Sequence, residues 1–133
     1  MLIKKTTLLM LLLLSFACFS KSKNKVSTDT IKPIMKQYYF VLLTKGNNRT
    51  QDSITTTEIQ KAHIANIERL AKEGKIIVAG PFGDDGNWRG IFIFDCATKE
   101  EVEKYLQTDN AISSGRLAYE IHLWWTQQGT VLK

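Results

Sequence analysis

The sequence predicts an α+β domain with the element order β-α-β-β-α-β, and three observations lead there. Runs rich in β-branched and aromatic residues alternate with two stretches of helical period. Each helical stretch opens on a capping pattern. The two middle strands are separated by turn formers alone, which makes them a hairpin.

Tyr38 to Thr44 reads Tyr-Tyr-Phe-Val-Leu-Leu-Thr, a strand composition, and Gly46, Asn47 and Asn48 end it. A polar loop then runs on to about Thr56. Thr56 or Thr57 supplies the cap of a helix, Glu58 places negative charge in its first turn, and Gln60 stands three residues after Thr57, the spacing of a capping box. The helix is expected to continue to Glu73 and to stop at Gly74. Ile59, His63, Ile67 and Leu70 fall on one of its faces.

Lys75 to Gly80 is the second expected strand and Trp88 to Phe94 the third, with Gly80-Pro81-Phe82-Gly83-Asp84-Asp85-Gly86-Asn87 turning the chain between them. Thr98 caps a second helix, with Glu101 three residues later. Val102, Tyr105 and Leu106 line its apolar face. Gly115 ends a loop, and Leu117 to Trp125 forms the last strand. Two helices on one face of a four-stranded antiparallel sheet make a ferredoxin-like split βαβ architecture, spanning residues 37–126 with a tail at 127–133.

The chain before this domain has a different character. Met1 to Lys5 carries two lysines, Leu8 to Leu14 is an unbroken apolar run, and Ser15, Ala17 and Cys18 supply small residues at its end. A basic head, a short apolar run and a small-residue exit form a secretory signal, expected at residues 1–17. A transmembrane helix is the alternative, but Thr6 to Phe19 is short of the about 20 residues a span takes. Cys18 follows Leu14-Ser15-Phe16-Ala17, a loose lipobox, so lipidation of Cys18 is favoured over simple cleavage after Ala17. Residues 18–36 then read as a flexible polar linker. The expected location is outside the cytoplasm, in the periplasm or as a cell-envelope lipoprotein, with membrane contact only through that anchor.

The net charge of +5 belongs to this leading part. Lys4, Lys5, Lys21, Lys23, Lys25, Lys32 and Lys36 all precede the domain, whereas from Gln37 onward 11 Lys and Arg stand against 12 Asp and Glu. A near-neutral domain offers no basic face for nucleic acid. Cys96 is the domain's one cysteine, follows an apolar stretch, and is expected to be a small buried hydrophobe. Cys96, His63 and His122 have no metal-ligand spacing, and Asp84-Asp85-Gly86 has too few ligands for Ca²⁺, so no metal is expected. No phosphate loop, nucleophile elbow or nucleotide fingerprint appears, and no cofactor is implied.

Three strands are apolar on both faces: Phe40-Val41-Leu42-Leu43, Ile76-Ile77-Val78 and Ile91-Phe92-Ile93-Phe94. Helices cover one face only, and a sheet with a wet face alternates apolar with polar. The second face therefore calls for a partner, and a second copy of the sheet predicts a homodimer. The alternative cover is the chain's own tail, Trp124 to Lys133, folded back.

An ordered set of short motifs carries a family likeness. His63, Leu70, Glu73-Gly74-Lys75, Ala79-Gly80-Pro81-Phe82 and Asp84-Asp85-Gly86 are followed by Ala97-Thr98-Lys99-Glu100-Glu101-Val102, Asp109-Asn110, Gly115 and Trp124. Over about Gln37 to Trp125 the chain resembles the YciI (YCII-related) family. The resemblance implies a ferredoxin-like fold that dimerises as an α/β barrel. It also implies a His–Asp pair, which falls on His63 and Asp109; Asn110 stands where the family has proline, in the loop that aims the carboxylate. The family has no single reaction, so the resemblance points to acid–base chemistry of lyase or isomerase type on a small organic molecule without naming one.

The residues by themselves fit that role. A histidine on an apolar helix face needs a partner, and an aspartate accepting its N–H sets its tautomer for proton transfer. The alternative is a structural histidine bonded to a backbone carbonyl. Pro81, Asp84, Trp88 and His122 are the candidate substrate-binding residues: Gly80-Pro81 shapes a strand exit, Asp84 sits in the hairpin, Trp88 offers an aromatic wall, and His122 shares a strand face with Glu120. A non-catalytic ligand-binding module, or a structural envelope lipoprotein, is the competing functional reading.

Overall fold

The computed structural model describes residues 32–132. The expected leader at 1–17, Cys18 with its lipidation, and most of the linker lie outside the described residues.

The strands are β1 (Met35–Lys45), β2 (Ile76–Pro81), β3 (Trp88–Phe94) and β4 (Leu117–Gln127), and the helices are α1 (Ser53–Lys72), α2 (Lys99–Gln107) and α3 (Asn110–Ser113). The sheet order is β2-β3-β1-β4, antiparallel throughout. This is the ferredoxin-like arrangement expected from the sequence. β1 and β4 exceed the expected lengths because they pair with each other over their full span, from Met35 opposite Gln127 to Lys45 opposite Leu117. Met35 and Lys36 thus belong to a strand and not to the linker.

α1 begins earlier than Thr56. Asp52 is its cap: one carboxylate oxygen accepts from the Thr55 N–H at 2.8 Å and the other from the Thr55 hydroxyl at 3.1 Å. A carboxylate outcompetes a threonine hydroxyl as acceptor, so the helix gains a turn. The helix stops where expected, at Gly74, whose φ of 69° is open to a residue without Cβ. Thr98 caps α2 as its spacing predicted, accepting from Glu101 N–H at 3.2 Å, while the Glu101 carboxylate reaches back to Ala97 N–H at 3.1 Å.

Tyr39, Val41, Leu43, Phe92 and Phe94 point to the helix side, where Leu70 of α1, Val102 and Leu106 of α2 and Ile112 of α3 close over them. Val41, Phe94 and Val102 are wholly shielded from solvent. Burial of side chains this size contributes about 1.5–3 kcal/mol each. No buried side-chain polar atom among the described residues lacks a hydrogen-bond partner. On the second face Tyr38 and Ile93 are buried among their neighbours, Phe40, Leu42, Val78 and Ile91 are half-buried, and Trp124 is exposed. The tail does not fold back over this face: Trp124 to Gln127 continue β4, and residues 128–132 are exposed.

Cys96 is buried against the core cluster, as its apolar context predicted. Burial, reinforced by the nearby Glu101 carboxylate, pushes its thiol up to about 11. At pH 8 the thiolate is therefore scarce in the folded state. In a chain carrying Cys18→Ser, Cys96 should react with a disulfide reagent slowly when native and rapidly in denaturant; fast native labelling at pH 8 would show that this corner of the core opens readily.

Candidate functional site

His63 sits on the buried face of α1, between Ile59 and Ile67 one turn away on either side. Asp109 lies in the step between α2 and α3, and only 1% of it is exposed. Its carboxylate does two jobs. One oxygen accepts from the Ala111 N–H at 2.8 Å and so caps α3. The other lies 2.7 Å from His63 Nδ1. An ionised carboxylate only accepts, so Nδ1 is the donor. In the neutral ring, Nε2 is then left with the free lone pair. The His–Asp pair that the sequence pointed to is thus assembled from residues 46 apart in the chain.

Asn110 leaves this geometry intact. It occupies the first position of α3, the place where proline is favoured in helices because its missing N–H would be unpaired there. Asparagine fills the same position, and the Asp109 cap supplies the stop and start that proline would have enforced.

His63 lines a cavity of about 320 Å³ between α1 and the sheet. Its walls are mainly apolar, from Leu43, Ile67, Pro81 and Phe92, with Gln60 at one side. The Phe92 and His63 rings stand 6.2 Å apart. His63 and Arg89 are the ionisable residues of the lining. Gly90 keeps the hairpin side thin: a Cβ there would meet the Gly80 carbonyl oxygen at 2.7 Å. The volume suits a molecule of about one ring, at the lower end of small-molecule sites. Among the described residues no group of three or more His, Cys, Asp or Glu side chains is placed to hold a metal ion.

The other candidate residues divide by position. Pro81 lines the cavity beside His63. Asp84 does not; its carboxylate accepts from Gly86 N–H at 3.0 Å and shapes the β2–β3 turn. Trp88 is exposed and packs against Phe82, ring centroids 6.0 Å apart, outside the cavity lining. His122 stands on the second face of the sheet, with Nε2 3.4 Å from the Glu120 carboxylate and its ring near Phe40. The structure therefore joins His63, Asp109 and Pro81 at one place and leaves Asp84, Trp88 and His122 elsewhere. Gln60, Arg89 and Leu43 join the lining unforeseen. Helical spacing from His63 could have flagged Gln60, one turn before it; Arg89 and Leu43 depend on how the strands align.

Replacing Asp109 tests the double role. Asp109→Ala removes the α3 cap and leaves a buried imidazole N–H without an acceptor, and is expected to cost about 2–4 kcal/mol in denaturant unfolding. Asp109→Asn keeps an oxygen for the cap and should cost less than half of that. Equal losses would show that charge, and not the cap, dominates.

Comparison with known proteins places the chain. None of the curated proteins compared matches it. Among solved structures, muconolactone isomerase superposes with a TM-score of 0.56 at 14% identity, over 72% of this chain and 96% of that one. The 5-chloro-2-hydroxyhydroquinone dehydrochlorinase from Burkholderia phenoliruptrix AC1100, solved with 2,5-dihydroxybenzoquinone, superposes with a TM-score of 0.50 at 22% identity, over 65% of this chain and 92% of that one. At these identities the likeness is one of fold. The model of the YCII-related domain matches residues 38–125, nearly the whole folded part, and the chain belongs to the YCII-related domain family.

Proposed function

We propose that the domain is a small-molecule enzyme in which His63 moves a proton and Asp109 orients it. The observation that carries this reading is the buried 2.7 Å contact between His63 Nδ1 and Asp109 at the wall of an apolar cavity. A carboxylate behind Nδ1 leaves Nε2 as the base and stabilises the imidazolium that forms when it takes a proton. The apolar walls favour a small cyclic or aromatic substrate, and isomerisation or elimination needs no more than such a proton shuttle. The fold's occurrence in an isomerase and a dehydrochlorinase accords with that class of chemistry. Pro81 shapes the binding wall, and no cofactor enters the scheme.

The competing reading, a binding module without turnover, predicts a different result in one experiment. 2,5-Dihydroxybenzoquinone and a panel of small lactones are offered to the protein in D₂O. Binding is followed by thermal shift and deuterium uptake into the ligand by NMR. An enzyme gives uptake that depends on His63 and is lost in His63→Gln. Binding without His63-dependent uptake supports a module that only holds its ligand. In parallel, imidazole ¹⁵N shifts should show the Nδ1–H tautomer in the native protein and its loss in Asp109→Asn.

We further propose that the protein is exported and works as a homodimer through the second face of the sheet. The basic head, the apolar run and the small residues before Cys18 support export, and the lipobox-like run supports lipidation of Cys18. Phe40, Leu42, Val78 and Ile91 support the dimer: they lie on a face that no described element covers. Pairing with a second sheet removes this apolar surface from water. Leu42→Glu is expected to give a folded monomer in analytical ultracentrifugation where the native chain sediments as a dimer. A native chain that sediments as a monomer refutes the sheet pairing.

A further inference from the structure

The exposed large apolar side chains are not spread evenly. Ile34, Met35, Leu123, Trp124 and Trp125 gather at one end of the β1–β4 pair. That end projects past the rest of the sheet, because β3 pairs with β1 only from Tyr39 to Thr44 while β4 pairs with it from Met35 onward. The result is a two-stranded tip with apolar side chains on both faces.

The sheet-to-sheet dimer does not account for all of it. Tyr39 points to the helix side, so by alternation Met35 and, across the ladder, Leu123 and Trp125 point there too. They remain 52%, 55% and 53% exposed. Trp124 points the other way, over Tyr38, with ring centroids 6.2 Å apart. A partner on the second face covers Trp124 and leaves the other three in water.

The charge of the same end selects the occupant. Residues 32–38 and 123–132 contain two lysines, Lys32 and Lys36, and no Asp or Glu. Lys36 is paired with Asp95 from the neighbouring loop, and Lys32 is exposed. Residues 1–36 as a whole carry seven lysines and one acid, Asp29. Tryptophan with a wet edge and an apolar body, flanked by lysine, matches the boundary between headgroups and acyl chains. Basic segments beside it are drawn to anionic lipid. We propose that the β1–β4 tip is a docking surface for an anionic lipid bilayer, a contact additional to any anchor at Cys18. The 14 residues from Cys18 to Lys32 reach at most about 50 Å, enough for the tip to touch a membrane that holds the leading segment.

Trp88 provides an internal control. It lies opposite Thr44, nine residues along β1 from Met35, or about 30 Å away at the rise of a strand. The test uses the full chain with Trp125 alone (Trp88→Phe and Trp124→Phe) and with Trp88 alone (Trp124→Phe and Trp125→Phe). Each is mixed with vesicles of phosphatidylcholine, with or without phosphatidylglycerol, whose acyl chains carry bromine. The expected result is a blue shift and loss of Trp125 emission in the anionic vesicles, weakened by salt, with Trp88 emission unchanged. Equal behaviour of the two tryptophans overturns the proposal. So does a Trp125 blue shift without bromine quenching accompanied by faster sedimentation, which assigns the tip to a second protein copy.

Discussion

The site depends on one shared carboxylate. Asp109 is taken out of water almost completely, and its two oxygens are each matched by a buried donor, the Ala111 amide and His63 Nδ1. A buried carboxylate is tolerable only when its lone pairs are satisfied. The amide bond starts α3 and fixes the carboxylate's direction; the imidazole bond ties α1 to that turn. A structural element and a chemical one therefore stand on the same atoms. The side chain that holds the α1–α3 corner together also decides which nitrogen of His63 is free. The arrangement is stiff on both sides, which suits proton transfer, where small displacements of the base are costly.

The sheet supplies what the pair cannot: a dry wall. Leu43 and Phe92 come from adjacent strands and face α1, and the Gly80–Pro81 exit of β2 closes the side of the cavity. Because Gly90 has no side chain, β2 and β3 approach closely at this level. In the proposed enzyme, an imidazole in such surroundings would meet a ligand with little competing water. The same sheet has a second apolar face, and its centre and its projecting end differ in composition. At the centre the helices cover one apolar face and leave the other open. The end is apolar on both sides and flanked by Lys32 and Lys36, the second of them paired with Asp95. Such a division suits two different contacts better than one large one.

Much of the fold could be read directly from residues. The third strand has its expected ends, Trp88 and Phe94, since turn formers stop it on one side and the Asp95–Thr98 loop on the other. Gly74 stops α1 and Thr98 starts α2 for local reasons, a left-handed backbone and a hydroxyl acceptor. The start of α1 was misplaced because three threonines in a row offer several caps, and the choice fell to the stronger acceptor just before them, Asp52. The outer ends of β1 and β4 were under-read because each is a strand only by virtue of pairing with the other. α3 was missed altogether. Four residues are too few for a period, and its cap looked like a loop aspartate.

For the candidate site, the sequence by itself singled out His63, a histidine on an apolar helix face, and the family resemblance pointed to Asp109 as its partner. The sequence also determined that the sheet would have two apolar faces, since alternation is a property of consecutive residues. Only the tertiary structure decided which candidates share a cavity. It brought Pro81, Gln60 and Leu43 to His63 and placed Asp84 in a turn, Trp88 against Phe82 and His122 on the far face. The physical reason is that strand register and the crossing of α1 over the sheet set those distances. Both are fixed by contacts between residues far apart in the chain, which no local pattern encodes.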